Sequence, residues 1–331
     1  MVTPIKALWS FSVNMRVSML VVSFFVFANS FGQQDPLFGQ YMFNPQTLNP
    51  AYVGSKRGID ASVFRRDQYN SFRGGAAVNS FTVDAPLHYG QLGAGFTAIH
   101  QSLAGVDLMG VYGAAAYKLN AMRGVLALGL ELGLQQYAVS FDYLKIHDLS
   151  DQIISAENNS ISPDVGVGAW YSKKGFYLGA SVRHLLEPLL VFDKKNGSHL
   201  RLRKHYYVVS ALDISINQFV TWKPSILVKD TYTASAQVDL SNHLFWNDVA
   251  WVGVSYRTSQ AVGVHAGVIV NSLVKSLLPV FKLGYSYELA IGQLSPFLAN
   301  SHEVFVTMDF LPRPKLKKLR HQKIIQSPVI F

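Results

Sequence analysis

The chain has 331 residues, 49% of them hydrophobic and 13% aromatic, with only 15% charged and no cysteine. Soluble domains usually carry about 25% charged residues, so charge is scarce here. The lack of cysteine excludes a disulfide framework, a thiolate metal site, a cysteine nucleophile and a lipidated N-terminal cysteine. Past the N-terminus no run reaches 18 apolar residues, so helical spans are excluded and a closed barrel is the remaining way to cross lipid.

In chain order, Lys6 and Arg16 make a basic start and 17–27 (VSMLVVSFFVF) is an apolar run. Small residues follow before Gln33-Gln34. That order reads as a secretory signal peptide over 1–32, cleaved after Gly32 with Ser30 at −3, or alternatively after Ser30. The protein is expected to be exported.

Residues 33–57 form a separate N-terminal segment, periplasmic or lumenal. Asn44-Pro45 and Asn49-Pro50 break any helix or long strand. Phe38, Tyr41, Met42, Phe43, Leu48 and Tyr52 make it too apolar for a free linker. A segment both irregular and apolar is ordered only by packing on something else. It is a plug or collar on the main domain, or a docking site for a partner.

From 58 to 310 the chain is a series of alternating segments. They are expected as strands at 58–66, 76–85, 90–101, 109–119, 123–141, 163–172, 175–183, 201–215, 219–229, 233–240, 249–257, 261–270, 280–288 and 302–310. The fifth is the most regular. Leu126, Leu128, Leu130, Leu132 and Leu134 fill one face, and Ala127, Gly129, Glu131, Gly133 and Gln135 the other. Small residues on the second face imply a crowded interior, with the leucines on lipid. Most segments approach the roughly 9–11 residues a tilted strand needs to span a bilayer. The pattern predicts an all-β, transmembrane, antiparallel up-and-down β-barrel of about 14 strands, with twelve or sixteen as alternatives. Pro224 inside the ninth segment fits only at a bulge or strand start.

Connection lengths support a membrane barrel. Such barrels have short periplasmic turns and longer outer loops, and the longest connections here, 142–162, 184–200 and 289–301, are all odd-numbered. This places the N- and C-termini in the periplasm and the long loops outside.

The last stretch, 311–331, is a basic periplasmic tail. Arg313, Lys315, Lys317, Lys318, Arg320 and Lys323 are six of the 29 Lys and Arg, with no acid among them. It suits an acidic periplasmic partner or an anionic envelope polymer, or is simply solvated.

No catalytic constellation stands out. His184, His199 and His205 flank a long loop with Glu187 and Asp193, but that spacing alone is a weak metal signal. There is no HExxH, GxSxG or P-loop, and ALGLELG in the fifth segment is strand glycine. Glu131, Glu288, Glu303 and Asp309 are expected inside the barrel, paired with Arg257, Lys282 or other lumenal bases. Catalytic residues, metals and cofactors are therefore expected to be none, and nucleic acid is no partner for an exported chain.

Several stretches taken together carry a family resemblance: DPLFGQYMFNPQTLNPAYVGS after the signal peptide, then FRRDQYNSFRG, GFYLGASVRHLLEP, RLRKHYYVVSALDIS, WKPSILVKD, GYSYELAIGQL and SHEVFVTMDF. They resemble the PorP/SprF family of the type IX secretion system. The resemblance runs in order over 34–310 and is most specific in QYMFNP…NPAY. It implies a non-enzymatic outer-membrane barrel supporting secretion, anchoring or surface display of a partner adhesin, including those of gliding motility. The implied partners are adhesin cargo and periplasmic ring or peptidoglycan-linked components of the machine. It carries over Gln40, Tyr41, Phe43, Asn44, Pro45, Asn49, Pro50 and Tyr52 as a motif, whether for partner binding or for closing the barrel. A solute pore and a structural link to the ring are the alternatives. Trp170, Trp251, Phe305 and the glycines argue for a filled lumen over an open channel.

Overall fold

The computed structural model describes residue 35 and residues 38–68, 75–139, 158–193, 198–232, 235–247, 249–258, 261–270, 279–291 and 300–310, with only the backbone described at 158, 189–193 and 198–200. The expected signal peptide and basic tail lie outside these residues.

The described residues form seventeen strands: β1 (Ile59–Asp67), β2 (Ala77–Leu87), β3 (Leu92–Leu103), β4 (Val106–Ala121), β5 (Gly124–Val139), β6 (Asn158–Lys173), β7 (Phe176–Arg183), β8 (Leu189–Asp193), β9 (Ser198–Arg201), β10 (His205–Leu212), β11 (Ile214–Ser215), β12 (Val220–Asp230), β13 (Gln237–Trp246), β14 (Ala250–Arg257), β15 (Ala261–Val270), β16 (Val280–Ala290) and β17 (Ser301–Phe310). Neighbours in sequence pair antiparallel around the sheet. β1 pairs with β17, and β10 pairs with both β7 and β12. The ring is therefore a closed barrel of fourteen strands. β8 and β9 form their own hairpin in the β7–β10 connection, and β11 adds two residues of pairing to β12.

Alternation along β5 shows why the sheet closes. Leu128, Leu130, Leu132 and Leu134 are each about half exposed on the outside, whereas Ala127, Glu131 and Gln135 are buried inside. The same split holds on β14, with Val252, Val254 and Tyr256 outward and Trp251 inward, and on β17, with Val304 outward and Glu303 and Phe305 inward. An apolar exterior around a polar and aromatic interior is the arrangement lipid demands, and closure removes the unpaired edges that lipid will not tolerate. A lysine at Leu132 is expected to cost about 2–4 kcal/mol. Urea unfolding in lipid vesicles measures this, and a near-neutral Leu132→Lys would contradict a lipid-facing position.

Three sequence expectations are corrected. The tenth strand, expected at 233–240, is β13 at Gln237–Trp246, because Ser241, His243 and Phe245 continue the inward row and Leu240, Leu244 and Trp246 the outward one. The third connection closes to a two-residue turn at Ala104 and Gly105, both with positive φ, as tight hairpins need. Pro224 lies inside β12, at neither a bulge nor a strand start, and pairs in register with Asn242. Its missing N–H falls where the ladder on its other side breaks, since Ser225 pairs with Ala211 and Trp222 with Ile214 but nothing pairs between.

Residues 38–56 lie inside the ring, every one of them buried. They run as three single 3₁₀ turns, Tyr41–Phe43, Pro45–Thr47 and Pro50–Tyr52, the last two started by proline at the first turn position.

Candidate functional site

The lumenal segment is held by three kinds of contact. The first is aromatic. Phe43 has ring centroids 4.7 Å from both Trp251 and Phe305, Phe38 packs on Phe64 at 5.2 Å, and Phe64 stacks on Phe305 at 4.6 Å. On the opposite wall Tyr52 meets Trp170 edge-on at 5.1 Å, and Trp170 stacks on Tyr177. Such pairs add about 0.5–1.5 kcal/mol each beyond area burial.

The second kind replaces the hydrogen bonds that an irregular backbone cannot make to itself. Asn49 Oδ1 accepts from the Ala51 amide at 2.9 Å, capping its turn, while Asn49 Nδ2 donates to the Ala169 and Ala180 carbonyls on β6 and β7. Gln46 Nε2 donates to Phe96 O and Thr97 Oγ1, both at 3.0 Å. Thr82 donates to Asn44 Oδ1 at 3.2 Å, and the Tyr41 hydroxyl meets Ser225 Oγ at 3.0 Å. Glycines in the wall let the segment come this close. A Cβ at Gly129 would lie 2.3 Å from the Ala51 nitrogen, and one at Gly168 would lie 2.1 Å from Asn49 Oδ1.

The third kind is ionic, at both ends of the segment. Glu303 Oε2 accepts the Gly39 amide at 2.6 Å and Oε1 the Gln40 amide at 2.9 Å. Arg66 pairs bidentately with Glu288 at 2.8 and 2.6 Å and reaches Glu303 at 3.1 Å. Arg257 joins Glu288 at 3.2 Å. At the other end Lys56 pairs with Asp60 and Asp309, Lys282 also with Asp309, Asp84 accepts the Gly54 amide, and Lys118 donates to the Gly54 carbonyl. Burial drives the Tyr41 phenol up to about 12, so it is a neutral hydrogen-bonding group at any ordinary pH.

A fourteen-strand barrel filled by a QYMFNP…NPAY segment is the physical context the motif required. The model of the type IX secretion system membrane protein PorP/SprF matches residues 30–308. The chain belongs to the PorP/SprF family. It is accordingly an outer-membrane component of the type IX secretion system. Among curated proteins none matches it in sequence. Among solved structures it is similar to the Pseudomonas putida toluene transporter TodX, with 9% identity over 84% of this chain and 95% of that one and a TM-score of 0.46. A Pseudomonas aeruginosa FadL homologue gives 11%, 84%, 96% and 0.45, and Acinetobacter baumannii Omp33 gives 8%, 78%, 100% and 0.45.

In this PorP/SprF barrel all eight motif residues, Gln40, Tyr41, Phe43, Asn44, Pro45, Asn49, Pro50 and Tyr52, are gathered inside the lumen and buried. The six basic residues of the tail lie outside the described residues. Glu288 pairs with Arg257, and Asp309 with Lys282, but Glu131 pairs with Arg183 and Glu303 with Arg66. Arg66 and Arg183 were not among the sequence candidates. Their signal is register: Asp60, Ser62, Phe64 and Arg66 fall on one face of β1, and Arg183 follows Ser181 on β7. His184 and His205 do approach one another, at 5.3 Å between rings, and gather around Asp35, while the side chains of His199 and Asp193 lie outside those described. Asp35 lies with His184, Tyr207 and Lys229 at the barrel end where the long connection joins β7 to β10. Phe310 ends β17 at the opposite end of the barrel, beside Ile59. Asp35 and Phe310 thus lie toward opposite ends of the barrel.

Proposed function

We propose that this PorP/SprF barrel is a plugged, non-enzymatic platform that supports secretion, anchoring or surface display of a partner adhesin of the gliding-motility type. The observation that carries this reading is the filled lumen. Residues 38–56 occupy the path a solute would take, which disfavours the pore alternative and leaves the two ends of the barrel as the working surfaces. The end with the long connections faces outward and meets the cargo. The end with short turns faces the periplasm, where the basic residues Arg313, Lys315, Lys317, Lys318, Arg320 and Lys323 bind ring or peptidoglycan-linked components. In this reading the QYMFNP…NPAY residues close the barrel and shape both ends without touching the partner themselves.

Deleting the protein is expected to strip one cognate adhesin from the cell surface, measured by surface proteomics with total synthesis as the control. A tagged chain purified in mild detergent should carry that adhesin, and a chain truncated after Pro312 should keep the adhesin but lose periplasmic components. An unchanged surface proteome on deletion would sink the proposal, and an intact periplasmic complex after truncation would sink the role of the tail.

A further inference from the structure

Three side chains from separate parts of the chain meet where the lumenal segment starts. Asp35, His184 and His205 each present a ligand atom, and these atoms all lie within 4.8 Å of one another. Their side chains are 7%, 2% and 0% exposed. His184 Nε2 lies 2.7 Å from Asp35 Oδ1, and the His205 ring approaches Asp35 Oδ2 at 3.9 Å. The acid beside the two histidines is thus Asp35 and not Glu187, which accepts the Lys204 amide at 3.3 Å. No spacing rule reaches this set, since Asp35 stands 149 residues before His184.

A metal-binding histidine is recognised by what holds its other ring nitrogen. His184 Nδ1 lies 2.8 Å from Asp164 Oδ2. A carboxylate oxygen has no proton to give, so Nδ1 donates and Nε2 is the atom turned to Asp35. Gln135 Nε2, 3.0 Å from that Nδ1, donates to the same Asp164 oxygen at 2.7 Å. His205 Nδ1 donates to the Arg203 carbonyl at 3.0 Å, which leaves the lone pair on Nε2. That Nε2 is buried and has no hydrogen-bond partner among the described residues. Asp35 is oriented in the same way, with the Tyr207 hydroxyl donating to Oδ2 at 2.8 Å. Each of the three groups therefore has an outer partner of the kind that fixes ligands around a metal. The cations close by are already engaged. Arg183 holds Glu131 at 3.0 Å and the Thr47 carbonyl at 3.2 Å, and Lys229 donates to the Asp35 carbonyl at 2.8 Å.

We propose that Asp35, His184 and His205 bind a divalent transition-metal ion of the zinc type. Two imidazoles and one carboxylate are a ligand set that zinc favours, with water in the fourth position. Ligand bonds of about 2.0–2.2 Å set the ligand atoms roughly 3–3.5 Å apart. The ion takes the place of the proton between His184 Nε2 and Asp35 Oδ1, and that proton leaves to solvent. Those two atoms part slightly and the His205 ring closes in. Asp35 belongs to the start of the segment, whereas His184 follows β7 and His205 opens β10. A bound ion therefore fastens the segment to the base of the β7–β10 connection.

Zinc titration of the full chain, purified in detergent and stripped with a chelator, tests the site. About one zinc per chain is expected to survive dialysis, as a structural ion should. X-ray absorption of the zinc-loaded wild type should show two imidazoles and a carboxylate oxygen, and this arm needs no variant. Asp35→Asn and His205→Gln should each weaken zinc binding by at least about tenfold, and Asp164→Asn, behind His184, by about tenfold. His100→Gln is the control, because His100 and Asp107 form an exposed pair that could hold a surface ion; its zinc affinity should not change. Lack of stoichiometric zinc, fewer than two imidazoles in the spectrum, or weakening below tenfold in both Asp35→Asn and His205→Gln would overturn the proposal. Loss of the zinc in His100→Gln would place the ion on the surface and overturn it equally.

Discussion

Replacing Glu303 by alanine is expected to destabilise the barrel by about 3–5 kcal/mol, the usual result of removing one member of a buried ion pair. Both carboxylate oxygens are occupied, one by the Gln40 amide and the other by the Gly39 amide and Arg66. Glu303 and Arg66 each expose only 1% of their side chains, so water cannot replace what is lost. Two amides are left without an acceptor and Arg66 keeps only Glu288. An exposed pair supplies the control. His100 and Asp107 are 3.6 Å apart with half of each side chain exposed, and Asp107→Ala should change stability by less than about 1 kcal/mol. Reversible urea unfolding in vesicles measures both, and a Glu303→Ala no weaker than Asp107→Ala would show that the segment is not anchored there.

Gly129→Val is expected to turn a silent barrel into a leaking one. The wild type should give no stable current in a planar bilayer, since residues 38–56 fill its lumen. A Cβ at Gly129 would meet the backbone of the segment, 2.3 Å from the Ala51 nitrogen and 2.5 Å from its Cα. Backbone cannot rotate away as a side chain can, so the segment has to leave its seat. Gly113→Val is the matched control on the adjacent strand, since a Cβ there meets nothing within 4 Å. A conducting wild type would revive the solute-pore reading. A folded, silent Gly129→Val whose segment remains protected from protease would refute the packing argument.

Gly129 and Glu303 also mark the difference between what a sequence displays locally and what only the closed fold brings together. Gly129 sits between the leucines of the ladder, and its small size did imply a crowded interior, because period-two alternation is a local property that sequence displays directly. The barrel, its strand number and most of its boundaries were legible for the same reason. The partner of Glu303 was not. Gly39 and Arg66 reach it from 264 and 237 residues away, and no spacing rule connects positions that meet only through closure. Phe43, Asn49 and Tyr52 could be seen as unable to stand alone, whereas what they pack on (Trp251, Ala169, Trp170) follows only from the register of the strands. Asp35 opens the DPLFGQ stretch, but a single acid carries no spacing that would point to His184 or Tyr207.

The contact between Gly39 and Glu303 bears on the order in which the protein is built. β1 follows the segment directly, and β17 closes on β1, so the first and last parts of the chain complete the seam together. Bringing ends so distant together carries a large loop-closure cost that is recovered only when they meet. Capturing the segment and zipping the seam are thus a single cooperative event. A barrel zipped around an empty centre would strand Arg66, Glu288 and Glu303 without their backbone partners and expose Trp251 and Phe305 to water. Biogenesis therefore favours wrapping the strands around the segment over threading it into a finished cylinder, and a chain arrested before β17 should retain an accessible QYMFNP stretch.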